Sequence, residues 1–274
     1  MKLEFDGPLL LVGAGKMGGA MLSGWLARGL APADVIVVDP SPSAEIGELL
    51  TKHGIQIEAG APKLDTAPAV ILMAVKPQVM DAVFAPLAAI AGPKTLVISI
   101  AAGRTIASFE KHLKPGIAVI RTMPNTPAAI GRGITVCTGN EAAGAGARAL
   151  CGALLSAVGE VGWVDDEELI DAVTAVSGSG PAYVFLLVEA LAAAGVKSGL
   201  DPELSMRLAR ATVSGSGELL HQSNLEAAIL RQNVTSPGGT TAAALGVLMG
   251  PDGLDPLMKR AVDAAVRRGR ELAG

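Results

Sequence analysis

The chain has 274 residues, half of them hydrophobic but only 3% aromatic, with 34 glycines and a net charge of −4. That length allows two modest domains with cores of Ala, Val, Leu and Ile. The acidic balance and the scarcity of rings to stack on bases argue against nucleic acid as a partner.

Short, continuous, apolar runs at 9–12, 35–39, 70–74, 95–100 and 118–122 read as strands buried on both faces. Stretches 17–28, 43–53 and 78–89 between them have helical length and spacing. This β–α–β alternation predicts an α/β unit, a Rossmann-like doubly wound parallel sheet with helices on both sides. Runs 134–137 and 161–164 would add strands, with the Ala-rich stretch 142–157 as a helix between them.

Gly13-Ala14-Gly15-Lys16-Met17-Gly18 follows the first strand and opens the first helix, the context that a GxGxxG dinucleotide fingerprint requires. The first glycine suits a tight turn, the second a close approach to a pyrophosphate, and the third helix-on-strand packing. Asp39, at the end of the second strand, stands where a carboxylate accepts hydrogen bonds from an adenosine ribose and favours NAD over NADP; a strand-end cap is the alternative. Ala74-Val75-Lys76-Pro77 and Ile100-Ala101-Ala102-Gly103 lie at carboxyl ends of strands, where small residues let a flat cofactor pass near backbone. Arg121-Thr122-Met123-Pro124-Asn125-Thr126-Pro127 follows another strand, and its two prolines predict a rigid loop without regular helix or strand.

Near 165 strand-like runs give way to helix punctuation, so residues 1–164 are expected to form the dinucleotide-binding domain and 165–274 a helical one. Ser179-Gly180-Pro181 starts a helix that is apolar nearly all round and is expected to end before Gly195. Further helices start at Asp201-Pro202 and Asp255-Pro256. Helices apolar on more than one face predict dimerisation. Ser236-Pro237-Gly238-Gly239-Thr240-Thr241 stacks two glycines and two hydroxyls on a helix start, an anion site suited to a carboxylate, with a plain capping motif as the alternative. His53, His112 and His221 stand far apart, so neither a metal site nor a Ser-His arrangement is expected. Cys137 and Cys151 fit no disulfide framework and read as buried free thiols of a cytoplasmic protein. Run 9–12 is too short for a membrane span and is not followed by a cleavage site, so no membrane or targeting segment is expected. Arg267-Arg268 with Arg270 reads as a solvated face.

Taken in order, GAGKMG, AVKPQ, SIAAG, RTMPNTP, EELIDAVTAVSGSGPAYVF and NVTSPGGTT resemble the pyrroline-5-carboxylate reductase family over almost the whole chain. The resemblance implies an NADPH- or NADH-dependent reduction of a cyclic imine, 1-pyrroline-5-carboxylate, to L-proline, the last step of proline biosynthesis. It also implies a helical C-terminal domain that dimerises by interleaving, often into a ring of dimers such as a decamer. Cofactor contacts would fall on Gly13, Ala14, Gly15, Lys16, Met17, Gly18, Ala74, Val75, Lys76, Pro77, Ala101 and Ala102, beside the Asp39 contact already read from its place after the second strand. Substrate contacts would fall on Glu167, Asn233, Ser236, Gly239, Thr240 and Thr241, with the Thr241 hydroxyl as the catalytic group against the ring nitrogen. The chain departs from some members at Asp39-Pro40, where Ser or Arg occurs, and from many at Ala59-Gly60-Ala61-Pro62, where an Asn occurs. A β-hydroxyacid dehydrogenase needs a general base, usually a Lys on the first helix of the second domain, and 177–194 holds neither Lys nor His. A non-catalytic nucleotide-binding regulatory protein is the third reading.

Overall fold

In the computed structural model, which describes residues 5–273, the aliphatic runs pair into one eight-stranded sheet. The chain passes through β1 (Leu9–Val12), α1 (Lys16–Ala27), β2 (Val35–Val38), α2 (Ala44–His53), β3 (Gln56–Glu58), β4 (Val70–Met73), α3 (Met80–Ala88), β5 (Leu96–Ser99), α4 (Ile106–Glu110), β6 (Ala118–Met123), β7 (Gly133–Gly139), α5 (Ala145–Leu155) and β8 (Gly159–Trp163). Strand order is β3-β2-β1-β4-β5-β6-β7-β8, parallel except where β7 runs against β6. Alternate residues of each central strand serve opposite faces. Leu9, Leu11, Val35 and Val37 meet Met21 and Trp25 of α1 and Leu154 of α5, whereas Leu10, Val12, Ile71 and Met73 meet Phe84 of α3 and Phe109 of α4. Within the first of these faces the Trp25 indole ties α1 to α5 by donating to the Leu154 carbonyl at 2.8 Å.

Strand character ends with β8, close to the expected change at 164/165. The chain forms two compact units, one running to Gly178 and including residues from Val266 onward, the other Ser179–Ala265. The first reaches beyond the strands because α6 (Leu169–Val173) and a π-helical turn (Thr174–Gly178) follow, and α6 packs on β6 and β7.

The second unit begins with α7 (Gly180–Lys197) and α8 (Pro202–Gln222), followed by α9 (Ala227–Asn233), α10 (Thr240–Leu248) and the part of α11 (Leu254–Ala273) before Val266. Contrary to the expectation from sequence, α7 runs through Gly195 instead of stopping before it. A Cβ there would lie 2.2 Å from Ser205 Oγ, and that hydroxyl donates to the Ala192 carbonyl at 2.7 Å. Gly195 is therefore a packing residue, and the left-handed turn comes at Gly199, φ +97°. Asp201 caps α8 by accepting from the amides of Glu203 and Leu204. Much of the unit's apolar surface faces outward, including Phe185, Leu186 and Val247. The run Leu169–Lys197 is long and apolar enough by length and composition to cross a membrane, although a bend at Ser179 breaks it.

The two-proline segment is more regular than its prolines predict. β6 continues through Arg121, Thr122 and Met123, and a 3₁₀ turn starts at Thr126 with Pro127 in its first turn. Proline's fixed φ suits such a start, so only Pro124 and Asn125 are irregular.

Candidate active site

In an open α/β sheet ligands gather at the carboxyl ends of the strands. Here the ends of β2, β1, β4 and β5 lie side by side and carry Asp39, residues 13–18, Ala74 and Ala101. Gly13 turns the chain with φ +90°, and a Cβ on it would sit 2.9 Å from the Ala74 carbonyl oxygen. A Cβ on Gly18 would lie 2.2 Å from the Gly13 carbonyl oxygen, whereas one on Gly15 would meet nothing within 4 Å. Two glycines thus permit packing, and the third leaves open space above the first turn of α1, where backbone amides have no intrahelical acceptor. Lys16 and Gly15 are exposed there, Met17 is half-buried, and Ala14 lies buried beneath them.

Asp39 sits beside this turn. Its Oδ2 accepts from the Ala14 amide and its Oδ1 from the Ser41 amide, each at 2.9 Å. The carboxylate thus ties the glycine loop to the end of β2 and performs the capping task that the sequence left as the alternative, while its remaining lone pairs face the same cleft. That cleft, of about 1100 Å³, is lined by Gly15, Lys16, Asp39, Ser41, Ser43 and Lys52 among others. Its helix N-terminus and its carboxylate fit the pyrophosphate and adenosine part of a dinucleotide, while its lining includes neither Ala74–Pro77 nor Ala101-Ala102.

Ala74 and Val75 are half-buried, Lys76 is exposed, and Pro77 opens a 3₁₀ turn. Ala101 is buried and Ala102 exposed in a short loop after β5, where the Ala101 amide donates to Ser99 Oγ at 3.3 Å. Arg104, at the end of this loop, bonds Asp81 of α3, and His112 approaches the same carboxylate at 3.5 Å. The Arg104 guanidinium, joined by His112, holds the Asp81 carboxyl below its usual value.

Sequence reading passed over Arg121 as a single residue. It lies on β6 opposite Ser99, is 4% exposed, and donates to Glu167 Oε1 at 3.0 Å, with Asp171 Oδ1 at 3.8 Å. The same Glu167 oxygen accepts the Ile106 amide at 2.8 Å. The available signal was a cation inside an otherwise apolar strand, which demands buried partners, and the nearby EELID segment supplies carboxylates.

In the second unit α10 begins at Thr240 with Gly239 as its N-cap, and Gly238 holds φ +69°. The Gly239 amide donates to the Ser236 carbonyl at 3.0 Å, so it serves the turn itself. The first intrahelical bond comes from Ala243 to Gly239, which leaves the Thr240, Thr241 and Ala242 amides without intrahelical acceptors. Asn233, Ser236 and Thr240 are exposed and Thr241 half-buried. Among the described residues no group of three or more His, Cys, Asp or Glu could hold a metal ion.

Two family models match the chain: an NADP oxidoreductase, coenzyme F420-dependent, over residues 9–103, and pyrroline-5-carboxylate reductase dimerisation over 167–272. The pyrroline-5-carboxylate reductase of Pseudomonas aeruginosa is 41% identical over 97% of this chain and 96% of its own, and that of Arabidopsis thaliana 34% identical over 96% and 94%. The solved pyrroline-5-carboxylate reductase of Coxiella burnetii superposes with a TM-score of 0.90 at 34% identity, covering 98% of this chain and 99% of its own. The Plasmodium falciparum pyrroline carboxylate reductase, solved with NADP bound, gives 0.80 at 27% identity with both chains fully covered. Identity at this level over nearly the full length of both chains makes this chain a member of the pyrroline-5-carboxylate reductase family.

Proposed function

We propose that the chain reduces 1-pyrroline-5-carboxylate to L-proline with a reduced nicotinamide nucleotide, acting in the cytoplasm as a dimer or a ring of dimers. The observation that carries this reading is the presence, in one chain of this family, of a dinucleotide-fitting turn at 13–18 and a helix start at 239–241 that offers amides and a hydroxyl. When bound, the nucleotide supplies a hydride to the imine carbon.

The protein's own work is positioning. The first turn of α1 holds the pyrophosphate, Asp39 the adenosine ribose, and the backbone at Ala74, Val75, Lys76, Pro77, Ala101 and Ala102 the nicotinamide half. Asp39 leaves no room in charge for a 2′-phosphate, which favours NADH. The Thr240, Thr241 and Ala242 amides hold the substrate carboxylate, Asn233 and Ser236 border it, and the Thr241 hydroxyl steadies the ring nitrogen as it becomes an amine. A threonine suffices because a protonated imine is already electrophilic, whereas alcohol oxidation needs a base, and the only Lys of α7 is its last residue, Lys197. Outward apolar residues of the second unit support self-association, which accounts for the apolar run Leu169–Lys197 without a membrane. Cys137 and Cys151, both buried and unpaired, support a reducing compartment.

The test is oxidation of NADH and NADPH with pyrroline-5-carboxylate, against 3-hydroxyisobutyrate with the oxidised nucleotides. Imine-dependent turnover is expected; turnover with the hydroxyacid alone, or tight nucleotide binding without turnover, would sink the proposal.

A further inference from the structure

We infer that Ser177 is a nucleotide-binding residue whose hydroxyl accepts a hydrogen bond from the carboxamide N–H of the nicotinamide ring. This rests on the proposed function only in giving the nicotinamide half to the strand ends at loop 101–102.

Ser177 Oγ is sealed from water and finds no hydrogen-bond partner among the described residues. A buried hydroxyl in that state costs stability, so its place needs a reason. The local cause is the π-helical turn Thr174–Gly178. A serine or threonine in a helix can satisfy its hydroxyl on the carbonyl four residues back. Thr51 bonds Gly47 in this way at 2.9 Å, Thr174 bonds Ile170 at 2.7 Å, and Ser198 bonds Ala194 at 3.0 Å. Ser177 does not, because the π turn shifts the ladder to i→i+5 and carries that carbonyl out of register. Such turns are rare and gather at functional sites.

The turn lies where a nucleotide can use the idle oxygen. α6, which leads into it, packs on β6 and β7. Gly178, next to Ser177, admits the end of β6, since a Cβ there would come 2.5 Å from Met123 Cε. Met123 is the last residue of β6, and β6 pairs with β5. The turn therefore rests on the carboxyl edge of the sheet, next to the strand whose loop carries Ala101 and Ala102.

Those two alanines offer a ligand only backbone and methyl groups. Backbone amides suit the carboxamide oxygen, and the carboxamide N–H groups then require an acceptor. In the proposed function α10 serves the carboxylate and nitrogen of the imine, which leaves the carboxamide as the polar group without a side-chain partner. Access follows from the same orphaned state. Ser177 as a residue is half-buried although its oxygen is sealed, and no bond holds that oxygen. Rotation about χ1 to another staggered well brings the hydroxyl toward the residue's accessible side. Nucleotide binding thus exchanges an unsatisfied hydroxyl for a bonded one and fixes how the ring faces the imine.

The test is binding to the full-length chain without imine, by titration calorimetry, of NADH and of reduced 3-acetylpyridine adenine dinucleotide, in which a methyl group replaces the carboxamide nitrogen. Ser177→Ala is expected to weaken NADH by about 3- to 10-fold and the analogue by less than about twofold, so the preference for NADH falls. With imine present, kcat is expected to drop about tenfold and the primary isotope effect from 4-deuterated NADH to grow, because a turned ring slows the hydride step. Imine KM is expected to stay within about threefold. Ser177→Thr, which restores a hydroxyl, is expected to recover the preference for NADH. Since Ser177→Ala removes an unsatisfied group, the nucleotide-free variant is expected to melt at or above the wild-type temperature.

Equal weakening of both nucleotides with a lowered melting temperature would overturn the inference in favour of a structural bond. Wild-type NADH affinity with a raised imine KM would overturn it in favour of substrate contact, and unchanged affinities and turnover would overturn it outright. If the wild-type chain binds NADH but turns over no imine, the proposed function fails, while the difference between the two nucleotides still decides what Ser177 does.

Discussion

The first compact unit buries Leu9, Leu10, Leu11, Val12, Trp25 and Phe84 on two faces of one sheet, whereas among the described apolar residues of the second unit only Ala192 and Ala209 are buried. The contrast follows from architecture. A parallel sheet flanked by helices covers its own strands, but a few helices with apolar residues on several faces cannot cover one another. α7 shows this most plainly, with Phe185 63% and Leu186 62% exposed although α8 packs along the helix, Ser205 against Gly195 among other contacts. Exposed apolar surface of this extent calls for a partner. The dimerisation model matched over 167–272 identifies the partner class as a second copy of the chain.

The contrast between the units is tested hardest by making the second unit's surface polar without touching the first. Phe185→Glu combined with Leu186→Glu is expected to reduce the mass in sedimentation to that of one chain and to lower kcat/KM by about 100-fold or more. Nucleotide affinity, which the proposed function assigns to the first unit, is expected to stay within about threefold. A variant that remains dimeric and active would show that α7 is not the covering face.

Next in size is Thr241→Ala at the start of α10. Under the proposed role of Thr241, loss of its hydrogen bond to the ring nitrogen is expected to lower kcat/KM by about 10- to 1000-fold. Nucleotide affinity again serves as the control for the first unit, and unchanged turnover in stopped-flow assays would remove Thr241 from the chemistry.

The two units also differ in how much of them the sequence discloses. Strands such as Leu9–Val12 and Val70–Met73 are legible because burial on both faces demands unbroken aliphatic runs. β3, with the pattern Gln56-Ile57-Glu58 at the sheet edge, and the five-residue α4 are not, because their short, exposed or interrupted patterns carry little periodicity. Gly195 misleads in the opposite direction: a glycine beyond an apolar helix reads as a stop, yet here the missing Cβ admits Ser205. The glycine turn and the α10 start are visible as motifs because their chemistry is local. The link from Arg121 through Glu167 to Ile106 is not, because it joins three separate segments that only the fold brings together.

Within the first unit, Asp39→Ser sharpens what the cleft beside α1 selects. Under the proposed function, removing the carboxylate takes away a ribose acceptor and a repulsion toward a 2′-phosphate; it also frees the Ala14 amide. The ratio of kcat/KM with NADPH to that with NADH is expected to rise by about tenfold. A ratio that stays fixed, measured in parallel assays, would leave Asp39 as a loop cap alone.

The smallest expected effect belongs to Asp81→Asn, which loosens the Arg104 end of loop 101–105 at an exposed site. Because the Arg104 guanidinium, with His112, depresses the Asp81 carboxyl, the stability that it contributes is present above the ordinary carboxylate range and fades as pH falls through the lowered value. The variant is therefore expected to melt about 1 °C below wild type near neutral pH, with the gap shrinking in strong acid and at high salt. A gap that grew on acidification would mean that Asp81 is stabilised as the neutral acid, and that the Arg104 contact does not anchor the loop.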